Sequence, residues 1–256
     1  MDKGRPGLQP RIGQGHREEP MQTLDRGPSL TDRAAREIRD RIVGGGFRAG
    51  ESLSEITLAQ ALGISKTPVR EALMVLKRQG LVEVHPQRGS FVFDMDADQV
   101  RALSDLREVL ELAALRRVMD ANRDALAMEW ARLTADMGAA LAAGDTVLYR
   151  RLDGVFHQVL IELTGNAYLV EAYELIAFRI QALRSRLSVD PGLNASSFAD
   201  HARLAELAAR DAGDQAADLM ARHIAATLEF YLAAVEVRES TAEPPAASGR
   251  GRKNRP

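Results

Sequence analysis

The chain contains no cysteine. That absence removes disulfides, thiolate metal sites and cysteine nucleophiles, and it fits a reducing compartment, so a cytoplasmic location is expected. No apolar run approaches the ~18 residues of a membrane-spanning helix, and no membrane partner is expected. The first residues, Met1-Asp2-Lys3-Gly4-Arg5-Pro6, lack the apolar core of a signal peptide. Net charge is also scarce: 34 Lys and Arg against 36 Asp and Glu leave −2 at pH 7. The near-balance conceals an asymmetry, because residues 29–95 hold 10 basic against 8 acidic side chains and residues 96–239 hold 15 against 23. A mildly basic front and an acidic back give weak support for a nucleic-acid partner at the front end.

What is present fits a two-domain globular protein. The length of 256 residues accommodates two small domains, and 45% hydrophobic with 27% charged residues is ordinary for a packed chain. Residues 1–28 carry few large apolar groups, so they are expected to form a disordered tail. Residues 240–256, with Pro244-Pro245 and then Arg250, Arg252, Lys253 and Arg255, are expected to form a second, basic one. That cluster is either a solvated terminus or a contact to DNA phosphates. The fold class expected between the tails is mainly α: a winged helix-turn-helix over 29–95, then an all-helical bundle of about six helices over 96–239.

In the front segment, three short amphipathic helices precede two strands. Ala35, Ile38 and Ile42 form one stripe that stops at Gly44-Gly45-Gly46. The second helix follows the N-cap Ser54 and ends at Gly63; the third starts at Ser65-Lys66-Thr67-Pro68 and buries Val69, Leu73 and Leu76. Leu81–Val84 and Ser90–Phe93 read as strands around the turn His85-Pro86-Gln87-Arg88-Gly89. With the third helix's apolar side turned inward, Lys66, Arg70 and Lys77 share the opposite face and Thr67 lies beside the helix start. Such cations and hydroxyls reach phosphates and base edges together, and Arg70 can pair bidentately with a guanine. Gly89 lets the wing tip approach a DNA backbone, with His85 and Arg88 nearby. Singly, each of these is as well explained by a solvated face or a turn; the order helix-turn-helix-wing decides for DNA.

The back segment carries an unusual constellation. Asp153 and His157 stand four residues apart in a helical stretch and share a face. His201 and His223 each lie 11 residues from Ala212, on either side of the break Arg210–Asp214. In an antiparallel helical hairpin the two imidazoles reach one level. An Asp and three His facing the interior either find separate hydrogen-bond partners or share one cation, and an N/O donor set without sulfur suits zinc, nickel or manganese, zinc foremost. Arg107, between Leu103 and Leu110, either clamps the carboxylate of a small effector beside the metal or pairs with Glu111 one turn on.

The stretch Gly50-Glu51-Ser52-Leu53-Ser54-Glu55, with Leu62-Gly63-Ile64-Ser65-Lys66-Thr67-Pro68-Val69-Arg70-Glu71-Ala72-Leu73, Gly80-Leu81-Val82 and Arg88-Gly89-Ser90-Phe91-Val92, resembles the N-terminal domain of GntR-type bacterial transcription regulators. The resemblance implies operator contacts by Ser65, Lys66, Thr67, Arg70 and Gly89. One departure is Lys66, where that family usually has arginine. The back segment resembles the FCD effector domain of the FadR branch through Leu106–Glu111, Asp153-x-x-Phe156-His157, Gly165-Asn166, His201 and Ala216-x-x-x-Met220-x-x-His223-Ile224. This implies a homodimer on a palindromic double-stranded operator, a small-metabolite effector, and a divalent metal at Asp153, His157, His201 and His223. The expected function is a DNA-binding transcription repressor controlled by a small organic acid, and not an enzyme. Two alternatives stay open: a metal-dependent enzyme using the same Asp and His, and a DNA-binding protein whose metal is purely structural.

Overall fold

The computed structural model describes residues 27–187 and 191–241. Among them, α1 (Leu30–Val43), α2 (Glu55–Leu62) and α3 (Lys66–Arg78) build the front unit with three short strands, β1 (Ser52–Leu53), β2 (Val82–His85) and β3 (Gly89–Val92). Local chemistry sets the helix limits. Ser29 and Asp32 form a reciprocal capping box at the start of α1, and the Ser54 hydroxyl accepts from the Thr57 amide at the start of α2. Gly63 stops α2 in the left-handed region, with φ 66°, where a side chain would be strained. The sheet order is β1-β3-β2, both pairs antiparallel, with Val82 opposite Val92 and Ser52 opposite Phe91. Ile38, Ile42, Leu73, Leu76 and Leu81 are buried beneath it. This is the expected winged helix-turn-helix, with two differences. The strands sit one residue away from their expected limits, and β1 was not expected, because two residues are too few to display an alternating pattern.

Six helices follow: α4 (Ala97–Ala121), α5 (Arg123–Ala142), α6 (Thr146–Glu162), α7 (Ala167–Leu187), α8 (Pro191–Ala209) and α9 (Gly213–Thr241). Their number matches the six expected, the break between α8 and α9 falls within Arg210–Asp214 as expected, and the core is a second cluster around Trp130, Phe156, Leu115, Leu126 and Tyr149. Trp130 stacks on Phe156, ring centroids 4.4 Å apart, and donates its indole N–H to the Phe156 carbonyl at 3.0 Å. α8 and α9 form the expected hairpin, turned at Asp211 with φ 56°. Of the expected tails, 1–28 and 240–256, nearly all lies outside the described residues; α9 itself continues through Thr241, two residues into the second.

One helix belongs to both units. From α7, Ala182 is fully buried in the front core and Phe178 packs against it. The Arg39 guanidinium lies 4.6 Å from the Phe178 ring centre. Arg179 donates through Nε to the Gly80 carbonyl at 2.9 Å, just beyond the end of α3. A Cβ at Gly80 would fall 1.9 Å from the Arg179 guanidinium, so glycine is what permits this approach.

Candidate functional site

The three histidines of the back segment converge. His157 on α6, His201 on α8 and His223 on α9 bring one ring nitrogen each to within 4.8 Å of one another. Nε2 of His157 and Nε2 of His201 are 3.2 Å apart, and all three rings are buried. The hairpin performs the convergence anticipated for His201 and His223, whose ring centres lie 4.7 Å apart. Asp153, one turn before His157, stands just outside the nitrogen trio, with Oδ1 3.6 Å from His201 Nε2.

Two carboxylates back the cluster. Glu111 Oε2 accepts from His157 Nδ1 at 2.8 Å, and Asp200 Oδ2 lies 3.3 Å from His223 Nδ1. Each carboxylate favours the tautomer with its proton on Nδ1, which leaves the Nε2 lone pair directed inward. Burial, opposed by Glu111 at His157 and by Asp153 at the other two, lowers all three imidazole pKa values, so the rings stay neutral. Neutral, inward-facing nitrogens at 3.2 Å and a neighbouring carboxylate form a donor set that a divalent cation fits. Burial pushes the Asp153 carboxyl up, but its charged surroundings, the Arg184 guanidinium foremost, outweigh it and hold the group well below its usual range.

Around this cluster the side chains divide into satisfied and unsatisfied. Arg107 lies in the ion pair with Glu111 that was its alternative reading, Nε to Oε1 at 2.8 Å with both side chains buried. Its Nη2 is 3.1 Å from His157 Nε2 and 3.4 Å from Nδ1, near-equal distances that set the guanidinium against the ring. Tyr173 donates to the same Glu111 oxygen at 2.9 Å. Glu111 was foreseen only as a partner for Arg107. Its place on the α4 stripe with Leu103, Arg107 and Leu115 was the available signal. Arg184 is 6% exposed; its Nε is 2.6 Å from Asp153 Oδ2, an ion-pair distance without hydrogen-bond alignment. Arg184 Nη2 and the Tyr231 hydroxyl are buried and neither makes a hydrogen bond of good geometry, although the guanidinium lies close enough to the hydroxyl to favour its ionised form. Both border a cavity of about 20 Å³ that also touches Asp153, Asn194 and His223. Burial pushes the Tyr231 hydroxyl up to about 12, so it remains a donor.

At the other end of the molecule, Ser65, Lys66, Thr67 and Arg70 are all exposed along the start of α3. The Ser65 side chain makes no cap hydrogen bond. Arg70 is gripped by Glu55 through Nε to Oε1 at 3.0 Å and Nη2 to Oε2 at 2.8 Å. In the wing, His85 and Arg88 are exposed, and Gly89 has φ 102°. His85 Nε2 is 3.2 Å from Glu83, and the Arg88 guanidinium lies 5.8 Å from the Phe91 ring centre.

Comparison with known proteins agrees with both halves. The family profile for bacterial regulatory proteins of the gntR family matches residues 30–92, and that for the FCD domain matches residues 102–226. The gluconate operon transcriptional repressor of Bacillus licheniformis is 26% identical over 160 residues, covering 60% of this chain and 65% of that protein. A regulator in an unstable DNA locus of Streptomyces ambofaciens is 38% identical over 117 residues, covering 46% and 49%. The Nta operon transcriptional regulator of Aminobacter aminovorans is 29% identical and is covered to 83%, with 70% of this chain. The chain thus spans about half to two thirds of the first two relatives. A solved structure of a GntR transcriptional regulator from Rhodococcus sp. RHA1 superposes with a TM-score of 0.71 at 23% identity, covering 80% of this chain and 98% of that one. E. coli McbR/YncC does so with 0.70 at 20%, covering 83% and 100%. These two establish the fold. Among the described residues no helix is long and apolar enough to cross a membrane. With a gntR-type front matched over 30–92 and an FCD domain over 102–226, the chain belongs to the gntR family of bacterial regulatory proteins, in the branch that carries an FCD domain.

Proposed function

We propose that this chain is a homodimeric transcription repressor that binds a palindromic operator through residues 29–95 and senses a small organic acid through residues 96–239. Operator contacts fall to Ser65, Lys66, Thr67 and Arg70 on α3 and to His85, Arg88 and Gly89 in the wing. Asp153, His157, His201 and His223 would hold a divalent cation, zinc before nickel or manganese. When bound, that ion supplies a Lewis-acidic anchor for an effector oxygen. Arg184 Nη2 and the Tyr231 hydroxyl, buried beside the cluster without a hydrogen bond of good geometry, are the donors that a carboxylate would satisfy. Arg107, held by Glu111, steadies His157. The three relatives named above are transcription regulators, one of them a repressor.

The observation that carries this reading is α7. Its Tyr173 and Arg184 touch the buried centre, while its Phe178, Arg179 and Ala182 touch the DNA-reading unit. A ligand that repositions Arg184 therefore acts on a helix already docked beside the end of α3. The coupling is one of linkage: the effector favours one arrangement of α7, and operator affinity follows. Fluorescence anisotropy of the zinc-loaded protein on operator DNA, titrated with a panel of small carboxylic acids, tests it. Release of DNA by one acid, lost in Arg184→Ala, is the expected outcome. The small free volume beside the cluster favours one rival, a purely structural metal. Chelation that unfolds the protein, with no acid affecting DNA binding, would establish that rival.

A further inference from the structure

The recognition face contains a contact that neither the family profile nor the motif assigns. Glu55, the first residue of α2, holds Arg70 on α3 through three hydrogen bonds: Nε to Oε1 at 3.0 Å, Nε to Oε2 at 3.2 Å and Nη2 to Oε2 at 2.8 Å. This is a side-on grip that occupies the Nε–Nη2 edge of the guanidinium. The outer edge, Nη1 with the second Nη2 proton, stays open, and it is the edge whose two parallel donors match guanine O6 and N7. We propose that Glu55 is a specificity-determining residue that sets the orientation of Arg70 for reading one base. This rests on the DNA-binding function proposed above.

Three observations favour it over a mere staple between helices. The Arg70 side chain is 67% exposed and that of Glu55 30%, and an ion pair with so exposed a cation contributes little to fold stability. Among the exposed side chains of the first turns of α3, Lys66 and Arg70 are the two cations, and only Arg70 offers a planar fork. Without Glu55 that fork would sample many rotamers and lose them on binding. Finally, a carboxylate on a DNA-reading face is a cost, since it repels phosphates. A carboxylate there weakens binding to every sequence alike and is repaid only at a site where Arg70 finds its base.

The test starts with selection of the preferred site by the full-length protein from random double-stranded DNA. Anisotropy then compares that site with a scrambled one at two salt concentrations, for the native chain, Glu55→Gln, Arg70→Ala and the double variant. Glu55→Gln is expected to lose about tenfold in preference for the selected site. Its affinity for scrambled DNA should be equal or higher, and its melting temperature unchanged. Arg70→Ala should lose at least as much preference, and adding Glu55→Gln to it should do nothing further. Intact preference in Glu55→Gln, with Arg70→Ala impaired, would reduce Glu55 to a staple and overturn the proposal. So would a markedly lowered melting temperature, or an equal loss in the Arg70→Ala background. If Arg70→Ala keeps full preference, Arg70 reads no base and the assignment falls with it. Selection of no site by the native chain would instead refute the DNA-binding function itself.

Discussion

Replacing Glu111 by glutamine keeps the shape of a fully buried side chain and removes its charge. The carboxylate accepts from Arg107 Nε and Tyr173 O–H on one oxygen and from His157 Nδ1 on the other, all within 2.9 Å. Whichever way a glutamine amide turns, its NH2 meets a donor. Facing Arg107, it leaves a buried guanidinium without a counter-ion. Facing His157, it drives the imidazole proton to Nε2, the nitrogen turned toward the other histidines. Burial alone would lower the Arg107 pKa and raise that of Glu111, yet their mutual attraction outweighs it: Arg107 rises and Glu111 falls well below its usual range. Breaking such a pair from one side costs about 3–5 kcal/mol. Losing the carboxylate behind a metal-binding histidine lowers metal affinity by roughly 10- to 100-fold.

Both effects can be read separately. Urea unfolding in EDTA, followed by the single tryptophan, Trp130, reports the stability of the helical domain. A zinc competition titration reports affinity. Glu111→Gln is expected to lose about 3–5 kcal/mol in the first and one to two decades in the second. Pairing Glu111→Leu with Arg107→Met removes both charges and should regain part of the stability, but not the zinc affinity, because His157 Nδ1 still lacks its acceptor. Native-like stability and native-like zinc affinity in Glu111→Gln would refute the reasoning. A stability loss with unchanged affinity would refute the tautomer argument alone.

Zinc at one hundred times its dissociation constant should stabilise the native protein by about 2.7 kcal/mol. His201→Ala and His223→Ala should each abolish that gain in a thermal-shift assay, and an intact shift would exclude the histidine from the site. In zinc-free protein the three imidazoles stay neutral when folded, because burial lowers their pKa below 6.5. The unfolded chain takes up protons as pH falls through about 6.5, so stability is complete above that value and is lost on acidification, by at most about 1.4 kcal/mol per pH unit each for His201 and His223, whose values lie well below the usual one. Urea midpoints in EDTA between pH 7.5 and 5.5 check this, and a flat profile would contradict it. Phe178→Ala with Arg179→Ala should leave operator and zinc binding intact while blunting DNA release by the effector. Anisotropy with and without the acid measures that, and a native response would remove α7 from the pathway.

The convergence of His201 and His223 was legible because a helical hairpin is regular: equal distances from a turn mean equal height. Asp153 and His157 were legible for a similar reason, a shared face one turn apart. Glu111 was half legible. Its spacing from Arg107 announced an ion pair, but whether that pair meets His157 depends on how α4 packs against α6, which no local pattern encodes. Arg184 was not legible, because α7 packs on several neighbours and no single stripe separates its core face from its solvent face. The contact from Arg179 to Gly80 joins residues 99 apart; the sequence offers only a glycine after a helix, which reads as an ordinary helix stop. The grip of Glu55 on Arg70 was hidden too, since the two residues stand 15 apart on different helices and only Arg70 was singled out, as a recognition cation.

The free volume beside the histidines constrains how the protein can respond. About 20 Å³ admits one water and no organic acid, so a ligand must displace something already there. Arg184 is the displaceable part. It meets Asp153 without hydrogen-bond alignment, and its Nη2 makes no hydrogen bond of good geometry, whereas Arg107 is held through Nε by Glu111 and lies with Nη2 against His157. A carboxylate that took up these donors of Arg184 and Tyr231 would shift the guanidinium from Asp153 and satisfy both at once. Arg184 shares α7 with Phe178 and Arg179, which hold the DNA-reading unit at Arg39 and Gly80. An effector that favours the displaced arrangement by about 1–3 kcal/mol changes operator affinity by roughly 5- to 150-fold. If the effector reading proposed above holds, the tight centre would make the coupling effective: in a roomy pocket a ligand could bind without moving Arg184, and α7 would carry no signal.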